Sequence, residues 1–249
     1  IFAAAKREPR SVVYAEGEEE RVLRAAQVVV DEKLARPLLL GRPDVITARL
    51  AEYGLRLEPG KDCEVLDTQD PAVYGEAAGL YYGLRKRDGI SQAVAEVHMR
   101  SRTTLLAAAL VRLGRADALL CGTFGSTSLH LKSLRDVIGL REGVGTLAMM
   151  QMLMLPEHQL FICDTHVNVD PSAEQLAEIA LLAAEEARRF GLVPRVAVLS
   201  HSSFGSSDVP AARKMREATR LLRERAPTLS VEGEMRGDAA LSQAILEHE

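Results

Sequence analysis

The 249-residue chain has no tryptophan, and aromatic residues make up only 4% of it. That scarcity, with 31 Lys and Arg against 35 Asp and Glu and a net charge of -4, argues against the basic, aromatic-bearing surface on which nucleic acids dock. No nucleic-acid partner is expected. Cysteine is also scarce: Cys63, Cys121 and Cys163 stand far apart, each in or beside an apolar run, so neither a disulfide framework nor a CxxC metal site is encoded. They read as buried thiols in a reducing compartment, which predicts a cytoplasmic protein. No apolar run approaches the roughly 20 residues of a membrane helix. IFAAAKREPR also lacks the basic, apolar and cleavage order of a signal peptide, so no membrane partner is expected. Repeats and low-complexity tracts are missing. At 47% hydrophobic and 27% charged, the composition fits a globular chain with room for two lobes.

What is present is alternation. Short β-rich apolar runs trade places with longer helical patterns, the sign of parallel strands joined by crossover helices. SVVYA (Ser11 to Ala15) and PLLLG (Pro37 to Gly41) flank a predicted helix, EGEEERVLRAAQVVVDE. Its Val22, Leu23, Ala26, Val29 and Val30 share one face, while Glu18, Glu19 and Glu20 sit where the helix dipole favours acids. That cluster reads as a helix start in preference to a metal site. A helix over Asp44 to Tyr53 leads to CEVLD. From Pro71 a helical stretch is interrupted only at Asp88-Gly89 and then runs through ISQAVAEVHMRSRTTLLAAALVRLG to the strand ADALLCG (Ala116 to Gly122). After Gly139, TLAMMQMLML and QLFICDT read as buried strands joined by a turn at Pro156 to His158. A helix capped by Ser172 follows, with Leu176, Ile179, Ala180, Ala183 and Ala187 inward. The strand RVAVLS, the basic helix PAARKMREA, LSVEGEM and a final helix DAALSQAILEHE complete the pattern, the last without a cap. The reading predicts α/β lobes over residues 1–141 and 142–249, in a sequence cut from a longer one.

Two of these strands end in small-residue loops that open helices. GTFGSTS follows ADALLCG, and HSSFGSSD follows RVAVLS. A loop of this kind turns backbone N–H groups toward a ligand, and the helix N-terminus adds the positive end of its dipole, which suits phosphate. Neither loop spells the Walker pattern or GxGxxG. Ser, Gly and Asp are also ordinary turn residues, with Asp208 before Pro210 an ordinary helix N-cap, so both readings of HSSFGSSD stand on residues alone.

In open α/β sheets ligands gather beyond the C-terminal strand ends. The sequence puts Glu16, residues 123–128, Cys163, Asp164, Thr165, His166, residues 200–207, Glu232 and Glu234 there. Hydroxyls and amides dominate, which favours oxyanion binding over metal ligation. Cys163 with His166 or His201, and Asp164 as orienter, can be drawn as a nucleophile and base. Asp164, His166 and Asp170 can be drawn as metal ligands, although DTHVNVD lacks zinc or calcium spacing. Strand-end turn groups are the favoured reading of both sets. Arg85, Lys86 and Arg87, and Lys132 with Arg135 one turn apart, offer cations to a phosphorylated ligand or form a solvated helix face. The candidate ligand set is Arg85, Thr123, Ser126, Thr127, Ser128, Lys132, Ser200, Ser202, Ser203, Gly205 and Ser206, with no metal.

Taken in order, VVYAEGEEERVLRAA, LRKRDG, ADALLCGTFGSTSLHL, FICDTHVNVDPSAEQLAEIA, VAVLSHSSFGSSDVPAARKMREA and VEGEMRGDAALS resemble the phosphate acetyl/butyryltransferase family over nearly the whole chain. Within it, LLCGTFG, HLKSLRDVIG, FICDTHVNVDPSAEQ and LSHSSFGS most resemble the C-terminal module of bacterial NADP-dependent malic enzymes. The resemblance implies two three-layer α/β lobes with mainly parallel sheets around a cleft for coenzyme A and acetyl phosphate. It implies one cleft arginine at Arg85 and a second at the position of Lys132, where a lysine lacks the planar fork that clamps a phosphoryl group. The family's Ser-Arg pair and Asp, which orient and deprotonate the coenzyme A thiol, fall past this sequence. For malic enzymes it implies a module without chemistry of its own, which binds acetyl-CoA as an allosteric inhibitor and helps assemble a dimer or larger oligomer, up to a hexamer. Oxidative decarboxylation of malate, with NADP and a divalent metal, then belongs to a separate N-terminal part. The alternative is a working phosphate acetyltransferase with Arg85 and Lys132 as its catalytic cations. A third reading is a bilobed small-molecule binder of another family.

Overall fold

The predicted βα alternation is realised from the first strand onward. A short helix α1 (Phe2–Arg7) precedes β1 (Arg10–Tyr14), α2 (Glu20–Asp31), β2 (Ala35–Leu40), α3 (Pro43–Glu52) and β3 (Glu64–Leu66). Then come α4 (Pro71–Arg85), α5 (Gln92–Ser101), α6 (Thr103–Arg112), β4 (Ala118–Leu120) and α7 (Thr127–Val137). The computed structural model describes residues 2–156 and 159–248. The chain divides into two units between Gly139 and Leu140.

In the first unit the sheet runs β3-β2-β1-β4, all parallel, with Val13 opposite Leu38 and Leu119. Successive strand residues point to opposite faces. Val13, Ala15, Leu38 and Leu40 therefore pack with α4, α5 and α6, while Tyr14 and Leu39 pack with Leu23 and Ala26 of α2 and Ile46 and Leu50 of α3. Helices cover both faces, giving three layers. At the start of α2 the three glutamates divide their roles: Glu19 is the N-cap and accepts from the Arg21 N–H, whereas Glu18 pairs with Arg42 just before α3 at 2.8 Å.

The helical stretch expected to continue unbroken after Gly89 is two helices, parted at Arg102 (φ -120, ψ 88). Burial accounts for the break. α5 buries only Ala95 and Met99, one amphipathic stripe, while α6 buries every residue from Thr104 to Leu110. A single straight axis does not serve both environments.

The second unit contains β5 (Met150–Met154), β6 (Gln159–Cys163), α8 (Ala173–Arg189), β7 (Arg195–Leu199), α9 (Pro210–Arg225), β8 (Ser230–Met235), α10 (Gly237–Leu241) and α11 (Gln243–Leu246). Among the described residues β5 pairs antiparallel with β6 and β7 pairs parallel with β8, so the architecture is mainly parallel α/β. Ala177, Ala184, Val198, Ala218, Leu222 and Val231 form the core between α8, α9 and the β7–β8 pair. Ser172 and Gln175 close a reciprocal capping box on α8.

Three expectations are corrected here. β5 and β6 are not buried: Leu153, Met154 and Ile162 are exposed, Met154 at 71%. An apolar run alone does not distinguish a core strand from one whose apolar face is left open. Val209, not Asp208, is the N-cap of α9; Asp208 instead pairs with Arg213 and Arg216. The C-terminal helix is two short ones, parted at extended Ser242. Of the predicted turn at Pro156 to His158, residues 157 and 158 lie outside the described residues.

No helix among the described residues is long and apolar enough to cross a membrane. Leu106, fully buried in α6, is the sharpest test of the first core. Leu106→Ala is expected to cost about 2–5 kcal/mol in urea denaturation, and a loss well under about 1 kcal/mol would refute this placement of α6.

Candidate functional site

In the first unit the chain steps from β1 through β2 to β3 on one side and returns as β4 on the other. The topological switch point therefore lies between β1 and β4, where open α/β sheets bind ligands. There Glu16 Oε1 accepts from the Gly122 N–H at 3.1 Å, beside the ladder bond from Ala15 N–H to the Leu120 carbonyl at 2.9 Å. Gly122 has φ 118, a region closed to most side chains, and this lets the chain leave β4 toward α7. The other end of the loop is held by His130, whose Nε2 donates to the Phe124 carbonyl at 2.6 Å. A carbonyl only accepts, so Nε2 carries a proton; in the singly protonated ring Nδ1 then accepts from the Thr104 hydroxyl, 2.9 Å away.

Burial first, and Glu16 second, push the nearby Cys121 thiol up, while its hydrogen bond with Thr104 pulls the other way. Thr123 is half-buried, and Ser126, Thr127 and Ser128 are exposed. Ser126 is the N-cap of α7 but makes no side-chain cap bond; its Oγ lies 2.9 Å from Ser128 Oγ. The first turn of α7 thus lacks a side-chain acceptor, which suits an incoming anion.

The two predicted cations do come together, on an acid the sequence reading passed over. Asp136, with a side chain only 11% exposed, receives Lys132 Nζ at 2.8 Å and Arg85 Nη2 at 3.4 Å, and Arg85 Nε reaches Asp88 at 3.2 Å. Its sequence signal was the i,i+4 spacing from Lys132. Lys86, Arg87 and Arg135 stay exposed.

In the second unit the 200–207 loop already holds an anion, the chain's own Glu234. Gly205 N–H donates to Glu234 Oε1 at 2.9 Å, and Arg216 Nη1 reaches the same oxygen at 3.2 Å and the Ser207 carbonyl at 2.7 Å. Backbone links reinforce this, from Ser200 N–H to the Met235 carbonyl at 2.9 Å and from Phe204 N–H to the Glu234 carbonyl at 2.8 Å. The expectation of free loop amides is therefore revised for Gly205, and also for Ser203, whose N–H donates to Ser206 Oγ at 3.2 Å. Ser202 and Ser203 are buried, Ser200 is half-buried, and Ser206 is exposed. What this loop presents is chiefly the Ser206 and Ser200 hydroxyls. Glu232 faces elsewhere, paired with Arg223 at 2.6 Å. Arg216 was not singled out from the sequence, where it is one of many basic residues on α9.

The DTHVNVD turn is built around Asp164. Its Oδ1 accepts from the Met149 N–H at 3.0 Å and from the His166 and Val167 N–H groups at 3.3 Å. Oδ2 accepts from the Asn168 backbone at 2.7 Å and from its side chain. Burial pushes the carboxyl up, but donors from Met149, Asn168 and Val167 outweigh it and hold Asp164 below its ordinary 3.8. The Cys163 thiol is pushed up, by burial and then by Asp164, which is the opposite of what a thiolate nucleophile requires. His166 and His201 are exposed, and Asp170 forms an ion pair with Lys214. The strand-end reading of these groups matches this geometry. Among the described residues no His, Cys, Asp and Glu grouping could hold a metal ion.

Comparison with known proteins shows the family. The family model described as "Phosphate acetyl/butaryl transferase" matches residues 1–249. The chain belongs to that family. Over 244 residues it is 51% identical to an NADP-dependent malic enzyme of Haemophilus influenzae, covering 98% of this chain and 32% of that protein. A phosphate acetyltransferase of Nitratidesulfovibrio vulgaris is 34% identical over 245 residues, 98% of this chain and 34% of that protein. The chain thus spans about a third of the length of these relatives. Among solved structures, a phosphotransacetylase from Streptococcus pyogenes superposes with a TM-score of 0.87 at 27% identity, covering 99% of this chain and 75% of that one. This chain therefore has a phosphotransacetylase-like α/β fold.

In this family member Asp164 yields a test of sign. Its folded value is depressed, so the stability it contributes is present above its unfolded value and lost as pH falls through the folded one. Thermal melts are expected to show wild type losing stability below about pH 4, and Asp164→Asn losing less over the same range because it starts lower. Parallel curves for the two proteins would remove Asp164 from this role.

Proposed function

We propose that this chain is the acetyl-CoA-sensing, oligomer-forming module of an NADP-dependent malic enzyme, binding acetyl-CoA without transferring its acetyl group. The observation that carries the reading is the state of Lys132. At the position where the resemblance implies a second cleft arginine, the chain has a lysine tied to Asp136, which also engages Arg85. An ammonium is a point charge without the bidentate fork that fits a phosphoryl group, and a shared carboxylate offsets both cations. Transfer requires groups that bind the transition state better than the ground state. This arrangement favours binding alone.

In the first unit Arg85 with Ser126, Thr127 and Ser128 at the start of α7, and in the second unit Ser200 and Ser206, are the groups assigned to binding the phosphates of acetyl-CoA. Regulation then needs an oligomer, a dimer or larger up to a hexamer, with two states of which acetyl-CoA binds one more tightly. Malate oxidation, with NADP and a divalent metal, belongs to a separate part of the parent protein in the cytoplasm. The 51% identity to a malic enzyme supports this assignment. A second reading, an active phosphate acetyltransferase in which the coenzyme A thiolate attacks acetyl phosphate and expels phosphate, is supported by the retained Arg85 and the 34% identity to a transferase.

Calorimetric titration of the 249-residue chain with acetyl-CoA is expected to show binding with a Kd of about 1 mM or tighter, weakened about tenfold by Arg85→Ala. A coupled assay with acetyl phosphate and coenzyme A is expected to give no acetyl-CoA above background. Absence of binding would overturn the proposal, and acetyl transfer that disappears in Arg85→Ala would establish the second reading.

A further inference from the structure

We infer that Glu234 is a positioning residue, a buried carboxylate that stands in for a bound anion inside the 200–207 loop and sets the shape in which that loop meets its ligand. The inference rests on the reading of this loop as part of the acetyl-CoA site, and adds a residue to that site that touches no ligand. Two consecutive loop residues adopt left-handed backbone conformations, Phe204 at φ 45 and Gly205 at φ 87. Glycine accepts this freely, whereas phenylalanine does so only when its surroundings impose it. The imposition comes from one place in the chain. Glu234 takes the Phe204 N–H on its backbone carbonyl at 2.8 Å and the Gly205 N–H on Oε1 at 2.9 Å, so both left-handed residues are held by the same partner. Arg236 N–H donates to Ser203 Oγ at 3.3 Å and extends the lacing by one residue.

A purely structural role fits Glu234 poorly. Its side chain is 1% exposed, and Oε2 is buried with no hydrogen-bond partner. Leaving a buried carboxylate oxygen unmet costs stability, so a residue present for stability alone would be apolar or fully bonded. What the carboxylate contributes is Oε1, which fixes Gly205 and receives Arg216 at 3.2 Å. Arg216 keeps other partners, Asp208 at 2.9 Å and the Ser207 carbonyl at 2.7 Å, so its charge is not stranded when Glu234 is replaced. An apolar side chain of similar size at position 234 therefore leaves the fold largely intact while releasing the loop.

The test compares wild type, Glu234→Met and Glu234→Gln by hydrogen exchange and by calorimetry with acetyl-CoA. In Glu234→Met the amides of residues 203–206 are expected to exchange about tenfold faster with those of α8 and α9 unchanged, and acetyl-CoA affinity to fall about tenfold. Glu234→Gln, which keeps an oxygen for Gly205 N–H, is expected to recover most of both. Unchanged loop exchange in Glu234→Met, or loop exchange that rises only in step with the α8 and α9 amides, overturns the inference. Should wild type not bind acetyl-CoA, the proposed function fails and the exchange measurement still decides the role of Glu234. Should Glu234→Met fail to fold, Ser206→Ala serves instead. It removes only the Ser203 N–H to Ser206 Oγ bond, and on this inference the loop keeps its Gly205 protection while Glu234 is intact; losing it would count against Glu234 as the anchor.

Discussion

A carboxylate at the end of one parallel strand grips the amide of a left-handed glycine just beyond its neighbour, and in each unit one small-residue loop is built on that contact. In the first unit it joins Glu16 after β1 to Gly122 after β4, and in the second Glu234 on β8 to Gly205 after β7. Parallel strands leave their last N–H and C=O groups unpaired, and the loops that follow must satisfy them while turning toward a helix. A carboxylate does this with a charge-assisted bond, stronger than a neutral one. Glycine is needed because its backbone must pass through positive φ to present the N–H. Both loops are thereby held in shape by groups of the chain itself.

The same chemistry sets the charge balance around the loops. Acids of the chain itself meet cations beside both loops: Asp136 meets Arg85 and Lys132, Glu234 and Asp208 meet Arg216, and Asp170 meets Lys214. Each pair offsets the field a transferring phosphoryl group would feel. Hydroxyls on Ser126, Thr127, Ser128 and Ser206 remain at the surface and suit hydrogen bonding to the oxygens of a bound phosphate. Proteins named as malic enzymes and as transferases both match this chain, and members of one family can differ at this level, in the charge balance around a shared frame.

Sequence reading succeeded where periodicity spans a whole element. β1, β2 and α3 lie within a residue or two of their expected limits, α8 and α9 begin where expected, and α2 starts four residues later than expected, because apolar spacing marks the body of an element better than its ends. It failed where burial changes along one pattern. α5 and α6 look like one helix until the surroundings of each are known, and the apolar run in β5 looks like a core strand although Met154 is open to solvent. Asp208 before Pro210 has the composition of a cap, but two arginines one and two turns into α9 compete for it.

The residues of this sequence determined by themselves the α/β class, the two strand-loop-helix units and the family, since all of these are written in local pattern and order. Which atoms occupy those loops was decided by tertiary structure. Glu16 and Gly122 are 106 residues apart, and Gly205 and Glu234 are 29 apart. A hydrogen bond depends on distance and angle, and no spacing rule connects positions that only parallel strand pairing brings side by side. The letters of HSSFGSSD fit an ordinary turn and an anion-binding loop equally, and that its Gly205 amide meets the chain's own Glu234 follows from the pairing of β7 with β8.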